Sequence, residues 1–219
     1  MKKLLVSTII LMAVVISATG SRGDSGPEAS RAPGGSAHSR VDGASAVAMV
    51  GAPAPPFSLE AVVGKEFRRI SLTDYRGKWL VLFFYPYDFS KVCPTEIRGF
   101  NDAHEAFKKL DAEILAVSAD SKYSHLAWIE RGDLGTLKYP LLSDFTKEVC
   151  GKYCVLDRTE GKALRGLFII DPQGGIQHMT VNNMDVGRSV EETLRTLEAL
   201  QTGAQCPLGW KPGQKTLGM

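Results

Sequence analysis

The chain has few cysteines, only four in 219 residues. Four are too few for a fold stapled by disulfides, and no pair has the spacing of a zinc site. Cys93 and Cys206 each stand alone, and Cys150 and Cys154 have no second pair of ligands near them. The cysteines of this chain are therefore expected to have a chemical role rather than a structural one.

The chain also lacks a strong excess of positive or negative charge, and it lacks cofactor-binding motifs. The formal net charge is +2, and Lys and Arg residues are interleaved with acids, which indicates a solvated surface and no nucleic-acid partner. Neither a cluster of metal ligands nor the glycine pattern of a dinucleotide-binding loop occurs, so no metal, haem or flavin is predicted within the chain. The apolar fraction of 44% is ordinary for a globular domain with a real core.

The N-terminal part differs from the rest. Residues 1–20 combine a basic start, an apolar run too short for a comfortable membrane span and a small-residue site near Ala18, which is typical of a signal peptide or membrane anchor. Residues 21–48, rich in Gly, Ser, Ala and Pro, are predicted to be a flexible linker, because they bury too little surface to offset the entropy of ordering. An exported, periplasmic or membrane-anchored protein is predicted; the alternative is a cytoplasmic protein translated from Met49.

Strand and helix patterns alternate over residues 49–203, the predicted domain, and residues 204–219 form a tail. Apolar runs rich in aromatic and β-branched residues predict three buried strands, in KWLVLFFYP, AEILAVSAD and ALRGLFIIDP. Apolar spacing after the first run predicts one helix over 94–110, with its inner face formed by Ile97, Phe100, His104, Phe107 and Leu110. A last helix is predicted to begin at Ser189, in a capping box with Glu192.

Shorter segments complete the pattern. FRRISLTDY predicts a strand and a turn, SHLAWIERG and TKEVCGKYC predict helices, and IQHMTVNN predicts the hairpin partner of the third strand. The order βαβ, helix, ββα predicts an α/β fold of the thioredoxin-like type, with a central mixed β-sheet flanked by helices.

A single thiol stands where the first buried strand leads into the first helix. Pro94 suits the start of a helix, so Cys93 is predicted to be the N-cap residue or its neighbour. Free N–H groups and the positive end of the helix dipole favour a thiolate there, and the thiolate is the nucleophile. On position alone, the alternative that Cys93 is an inert core residue stays open.

Neighbouring residues favour the reactive alternative. Pro86 ends the strand and would shield the site from water, and the Ser90 hydroxyl could orient a substrate that contains oxygen. In CPTE, Glu96 stands where a dithiol oxidoreductase would have its second thiol. The thiolate of Cys93 must therefore attack another group or find a distant partner.

The segment YPYDFSKVCPTE resembles the active-site segment of peroxiredoxins, whose pattern is Pro, three residues, Thr or Ser, two residues, Cys. The resemblance covers residues 50–213. Over this range the chain resembles the typical two-cysteine peroxiredoxins, a group that includes the bacterial alkyl hydroperoxide reductase C component. It is carried by several long segments in the right order: SLTDYRGKW, AVSADSKYSHLAW, YPLLSD, LRGLFIIDPQG, GRSVEETLR and CPLGWKPG.

The resemblance implies a role for each matching residue. Cys93 matches the peroxidatic cysteine, which attacks the peroxide O–O bond and becomes a sulfenic acid. Ser90 matches the residue that hydrogen-bonds the peroxide, and Pro86 matches the shielding proline. Arg165 matches the arginine that stabilises the thiolate and polarises the peroxide. Cys206 matches the resolving cysteine, which condenses with the sulfenic acid of the other subunit.

The implied function is a thiol-specific peroxidase of antioxidant defence, which reduces hydrogen peroxide and organic hydroperoxides and is recycled by a thioredoxin-like or flavoprotein disulfide reductant. A homodimer, or a decamer built from dimers, is implied. Glu96 is expected to hold Arg165 or Arg188, or only to cap the helix, and Arg188 to be structural as much as catalytic. The alternative is a large homo-oligomer that acts as a holdase chaperone or a peroxide sensor.

The chain departs from the family pattern in two places. Lys91 stands where the family usually has an aromatic or apolar residue, and no role is assigned to it. The insert RGDLGTLKYP is short, and the chain ends soon after GWKPG without a C-terminal helix that contains Tyr-Phe. Fast local unfolding around Cys93 and resistance to overoxidation are therefore predicted.

Four further residues are given structural roles. Cys150 and Cys154 have no counterpart in the family pattern and are interpreted as small apolar fillers of a short helix; the alternative is a metal-binding or regulatory disulfide role. Cys154 stands just past that helix, where glycine would end it more comfortably. His125 and Trp128 are interpreted as packing and loop-fixing residues.

Overall fold

The computed structural model describes residues 47–218. The predicted targeting segment, 1–20, lies outside the described residues, and so does the predicted linker apart from Val47 and Ala48. Ala48 is buried in the hydrophobic core, so core packing includes the residue just before the predicted domain. Among the described residues, no helix is both long and apolar enough to cross a bilayer.

Nine strands and five α-helices, with one short 3-10 helix at Leu72–Tyr75, make up the described part of the chain. The strands are β1 Ser58–Val63, β2 Glu66–Ser71, β3 Trp79–Phe84, β4 Ala112–Ser118, β5 Leu141–Ser143, β6 Leu156–Asp157, β7 Lys162–Ala163, β8 Arg165–Ile170 and β9 Ile176–Asn182. The helices are α1 Cys93–Asp102, α2 His104–Lys109, α3 Lys122–Arg131, α4 Glu148–Lys152 and α5 Val190–Gln201.

Seven strands form one mixed sheet in the order β2-β1-β5-β4-β3-β8-β9, while β6 and β7 form a separate hairpin. Strands β3, β4 and β5 are parallel neighbours, and the other pairs in the sheet are antiparallel. Because β8 runs antiparallel to β3, it begins at the edge of the sheet where β3 ends. This topology confirms the predicted thioredoxin-like fold with a central mixed sheet.

Hydrophobic clusters cover both faces of the sheet. Alternate residues of β3 point to opposite faces, so that Phe84 belongs to one cluster and Phe83 to the other. Strand β8 divides in the same way, with Phe168 on the first face and Leu167 on the second. Burial on both faces explains why the central strands are continuous apolar runs in the sequence.

The predicted single helix over 94–110 is wrong, because the helix is interrupted at Ala103, between α1 and α2. Next to the break, the buried Asn101 amide donates to the Thr136 carbonyl at 3.1 Å and accepts from the Lys138 N–H at 2.8 Å. These bonds tie the end of α1 to a neighbouring loop. On the predicted face, Ile97, Phe100 and Phe107 are fully buried, whereas His104 and Leu110 are only half-buried.

The predicted capping box at the start of α5 forms in one direction only. The Ser189 hydroxyl accepts from the Glu192 N–H at 3.1 Å, as predicted. The Glu192 carboxylate does not return the bond but pairs with Arg195 at 2.6 Å, one turn further along the helix. An i,i+3 ion pair therefore replaces the second half of the box.

Candidate active site

Cys93 is the first residue of α1, next to Val92 in the N-cap position and followed by Pro94. The position agrees with the prediction that Cys93 is the N-cap residue or its neighbour. Its side chain is fully buried. Val92 offers no side-chain cap, and its carbonyl accepts from the Thr95 hydroxyl at 2.6 Å and from the Thr95 N–H at 3.0 Å. The sulfur therefore lies at the positive end of a ten-residue helix.

Arg165 is brought to this sulfur by the sheet. It is the first residue of β8, at the edge where β3 ends, and it is buried. Its Nη1 lies 3.5 Å from Cys93 Sγ and donates to Glu96 Oε2 at 2.6 Å, while Nε donates to the Met184 carbonyl at 2.6 Å. Three fixed partners define the orientation of the guanidinium, so that one N–H is directed at the sulfur.

Glu96 joins Arg165 to a second buried arginine, Arg188. The Glu96 carboxylate accepts from Arg188 Nε at 2.7 Å, from Nη2 at 2.8 Å and from the backbone N–H at 2.8 Å. Arg188 Nη1 donates to the carbonyls of Phe84 and Gly166, both at 2.7 Å. Of the two roles considered for Glu96, the structure shows the one in which it holds both arginines.

The charges of this cluster are unequal. One carboxylate, Glu96, faces two guanidinium groups, Arg165 and Arg188, and all three side chains are at most 4% exposed. A buried net positive charge is costly, and an anion at Cys93 Sγ would balance it. Burial raises the pKa of Glu96, but the hydrogen bonds and charge of Arg188, together with the charge of Arg165, outweigh it and lower the pKa. Both the cluster and the helix terminus thus place positive charge beside Cys93 Sγ.

Pro86 and Ser90 lie in the loop that joins β3 to α1. Pro86 is buried. The half-buried Ser90 hydroxyl donates to the Tyr87 carbonyl at 3.1 Å, and in the described part of the chain no hydrogen bond joins it to Cys93. Lys91, one residue further, is exposed. The structure thus brings Arg165, Glu96 and Arg188 together around Cys93 and leaves Ser90 bonded within its own loop.

Cys206 lies in the tail after α5 and is half-buried. Its Sγ is 3.6 Å from the Thr202 hydroxyl and 3.8 Å from the Ala199 carbonyl, both at the end of α5. The tail folds back on itself, since Gln205 bonds the backbone of Leu217 and Gly218. All four cysteines are free, and within residues 47–218 no contact joins Cys206 to the buried sulfur at the start of α1.

Known proteins of one family resemble this chain in sequence and in fold. The AhpC/TSA family profile matches residues 50–179. The chain is 55% identical over 178 residues to the chloroplastic 2-Cys peroxiredoxin BAS1 of Hordeum vulgare, covering 77% of this chain and 85% of the relative. The solved reduced 2-Cys peroxiredoxin of Plasmodium vivax has a TM-score of 0.73 and 42% identity, over 76% of this chain and 91% of that one. AhpC of Enterococcus faecalis has a TM-score of 0.70 and 38% identity, over 74% and 100%.

The chain belongs to the AhpC/TSA family. It is a peroxiredoxin, a thiol-specific peroxidase with an antioxidant role. Cys93 and Arg165 lie within the segment that matches the family profile, whereas Arg188 and Cys206 lie beyond it. Peroxiredoxins of this kind act on peroxides, depend on a reductant and are typically oligomeric.

In this peroxiredoxin, a buried polar cluster fixes the loop before Cys93. Asp88 is at the centre: its Oδ1 accepts from the Tyr85 hydroxyl at 2.9 Å, and its Oδ2 accepts from the Ser124 hydroxyl at 2.7 Å. His125 Nδ1 lies 2.8 Å from the same Oδ2, and His125 Nε2 lies 3.2 Å from the Leu142 carbonyl. Both ring nitrogens therefore face acceptors. His125 fixes the loop, as predicted. The sequence did not predict that Asp88 would be its partner.

The next residue of the loop, Phe89, packs against Trp128, which lies three residues after His125 in α3. Phe89 has a positive φ of 57°, and its ring lies 5.7 Å from the Trp128 ring, centroid to centroid. The Arg131 guanidinium also lies over the Phe89 ring, 5.3 Å from its centroid. The packing role predicted for Trp128 is confirmed, because it supports a loop residue in a backbone conformation that is costly for a bulky side chain.

The remaining two cysteines differ from each other. Cys150 is fully buried in α4, its N–H donates to Asp144 Oδ2 at 2.7 Å, and burial together with the Asp144 charge raises the pKa of its thiol. Cys154 is exposed and has a positive φ of 56°, two residues after α4. The interpretation of both residues as apolar fillers is wrong for Cys154, which occupies a left-handed position that normally favours glycine at the end of a helix.

Proposed function

We propose that Cys93 is the peroxidatic nucleophile of this enzyme. The observation that carries the proposal is the buried Arg165 guanidinium, which directs one N–H at Cys93 Sγ from 3.5 Å. The thiolate attacks one oxygen of the peroxide, an S–O bond forms and the O–O bond breaks. The departing oxygen leaves as alkoxide or hydroxide and takes up a proton, and the sulfur is oxidised to a sulfenic acid.

Arg165 has two roles in the proposed reaction of Cys93 with peroxide. Its fixed positive charge favours the thiolate before the attack, and it stabilises the charge that develops on the peroxide oxygens during the attack. Glu96 and Arg188 act through Arg165 and are positioning residues. Ser90 orients the peroxide once its hydroxyl turns from the Tyr87 carbonyl, and the buried Pro86 limits the access of water.

Cys206 of a second copy resolves the sulfenic acid in this proposal. Its thiolate attacks the sulfur of Cys93, an S–S bond forms, the S–O bond breaks and hydroxide leaves to become water. An external thioredoxin-like or flavoprotein reductant then reduces the disulfide. Support comes from the separate anchoring of the two sulfurs, since Cys93 is fully buried and Cys206 is tied to the end of α5. The functional unit is thus a homodimer or a larger assembly of dimers.

Two substitutions in the full chain test the proposal. Cys93→Ser is expected to abolish the consumption of hydrogen peroxide with dithiothreitol as reductant. Cys206→Ser is expected to retain a single rapid turnover but to form no peroxide-induced dimer in non-reducing electrophoresis, whereas Cys154→Ser, at the other exposed thiol, still forms it. Peroxide consumption by Cys93→Ser at the wild-type rate, or a covalent dimer that persists without Cys206, would contradict the assignments.

We further propose that residues 1–20 direct the protein out of the cytoplasm and that residues 21–48 link this segment to the enzyme domain, 49–203. The proposal rests on the basic, apolar and small-residue order of the first segment and on the composition of the second. Mass spectrometry of the N-terminus of the protein purified from its native cell tests it. A mature chain that begins at Met49 in a cytoplasmic fraction would support the alternative start instead.

A further inference from the structure

Tyr87, in the loop between β3 and α1, is joined to the β6–β7 hairpin. Its hydroxyl donates to Glu160 Oε2 at 3.0 Å. The ammonium group of Lys162 pairs with the same carboxylate oxygen and lies 5.2 Å from the centroid of the Tyr87 ring. Lys162 and Tyr87 together lower the pKa of Glu160, so the carboxylate is charged. These three residues, Tyr87, Glu160 and Lys162, are called the Tyr87 latch below.

The latch joins the two chain segments that carry the reacting sulfur and its arginine. Tyr87 precedes Cys93 by six residues in the same loop, and Lys162 precedes Arg165 by three residues at the entrance to β8. The turn that presents Glu160 is itself braced, because Asp157 Oδ1 accepts from the N–H of Glu160 at 3.2 Å. The loop is therefore fastened to a supported hairpin that continues into the strand of Arg165.

Access to the sulfur makes this fastening relevant to the reaction. Cys93 is fully buried, so the thiol of another chain cannot reach it unless the loop and the first turn of α1 move. A peroxide is far smaller than a protein segment and needs only a slight displacement of the loop to reach the sulfur. Attack by Cys206 needs the loop and the first turn of α1 to move apart, so each contact that holds the loop closed delays the disulfide more than the oxidation.

We propose that Tyr87 is a positioning residue that limits opening of the Cys93 loop and so divides the Cys93 sulfenic acid between two fates. While the loop is closed, a second peroxide transfers an oxygen to the sulfenate: an S–O bond forms, the O–O bond breaks, water or an alcohol leaves, and the sulfur becomes a sulfinate. When it is open, the disulfide with Cys206 of a second copy forms. The inference rests on the proposed function of Cys93 and Cys206.

The size of the effect follows from the exposure of the latch. The Tyr87 side chain is well exposed, and the Glu160 side chain is 56% exposed, so the hydrogen bond competes with water. Contacts of this class change a local equilibrium by roughly two- to fivefold. Because the closed form remains dominant, loss of the latch is expected to raise the open fraction by that factor and to leave the first reaction with peroxide nearly unchanged.

Tyr87→Phe in the full chain tests the proposal, because it removes the hydroxyl and keeps the ring over Lys162. With hydrogen peroxide and dithiothreitol, the fraction of Cys93 sulfinate after a fixed number of turnovers is measured by mass spectrometry. It is expected to fall by roughly two- to fivefold. In a single turnover the disulfide is expected to form faster by the same factor, with an unchanged rate of sulfenic acid formation. Glu160→Gln, which weakens the latch from its other side, is expected to shift the partition in the same direction.

Tyr123→Phe is the matched control, since Tyr123 is 66% exposed and its hydroxyl makes no hydrogen bond within residues 47–218. It is expected to leave both rates and the sulfinate fraction unchanged. An unchanged or larger sulfinate fraction in Tyr87→Phe would overturn the latch. If Cys93→Ser still consumed peroxide, the proposed function itself would fail; if Cys93→Ser is inactive and Tyr87→Phe behaves like wild type, only the latch fails.

Discussion

Replacing Arg165 by Lys separates the charge at this position from its geometry. The Arg165 guanidinium reaches the Met184 carbonyl, Glu96 Oε2 and Cys93 Sγ at once, at 2.6, 2.6 and 3.5 Å. A lysine ammonium is a single point charge on a flexible stem and is expected to keep the Glu96 pair while it loses the directed contact with the sulfur. A unit charge at 3.5 Å from an anion is worth about 5 kcal/mol at an effective dielectric constant of 20.

Most of this interaction is expected to be lost in Arg165→Lys, which corresponds to a decrease of about 10²- to 10³-fold in the rate constant of Cys93 with hydrogen peroxide. The rate constant is measured by stopped-flow with the reduced enzyme. Arg68→Lys, at an arginine whose side chain is 61% exposed on β2, is the control and is expected to react at the wild-type rate. A rate constant of Arg165→Lys within tenfold of wild type would refute the reasoning, because positive charge alone would then be sufficient.

Glu96→Gln is expected to lower the free energy of unfolding by about 3–5 kcal/mol at pH 7, since it leaves two buried arginines without their carboxylate. Because the folded-state pKa of Glu96 is lowered from 4.5, this difference from wild type is expected to shrink as the pH falls below about 4.5. Tyr139→Phe removes the hydroxyl that donates to the buried Ile97 carbonyl at 2.7 Å and is expected to cost about 1–3 kcal/mol in urea unfolding. In native protein, iodoacetamide is expected to alkylate the exposed Cys154 and not Cys150, whose thiol pKa is raised by burial.

A Glu96→Gln deficit of equal size at pH 7 and at pH 3.5 would contradict the ionic argument. Tyr123→Phe, at an exposed ring, is the control for Tyr139→Phe, and its free energy of unfolding is expected to stay within about 0.5 kcal/mol of wild type. An equal loss of stability in Tyr123→Phe would contradict the role assigned to the Tyr139 hydrogen bond. Alkylation of Cys150 and Cys154 at the same rate would show that α4 opens readily.

The long apolar strands were predictable from the sequence, because burial on both faces leaves a continuous apolar run. Strand β5, with three residues, and the two-residue strands of the β6–β7 hairpin were not, because such segments are too short to show a period. The interruption of the first helix at Ala103 was missed as well. No Gly or Pro marks it, and its neighbour Asn101 is engaged with a loop 35 residues away in the chain.

The local features of the site were predictable, and its long-range contacts were not. Cys93 at a helix start could be inferred from Pro94 and from the preceding strand. Arg165 stands 72 residues away, and only the likeness to a family pointed to it, since register in the sheet brings the two together. Neither Asp88 nor the contact between Tyr87 and Glu160 left a signal in the sequence, because side-chain bonds between distant loops follow no periodicity.

The two halves of α1 are held by different forces. Its second half is fixed from outside the site, because the Ile97 carbonyl accepts from the buried Tyr139 hydroxyl and the Asn101 amide is bonded to the loop at 136–138. Its first turn is held chiefly by the ion pairs of Glu96, the same residue that directs Arg165 at the sulfur. A buried ion pair is strong only while all of its members are in place. In the proposed mechanism, the carboxylate that positions Arg165 at the sulfur is therefore also the one that pairs the first turn of α1 with Arg188.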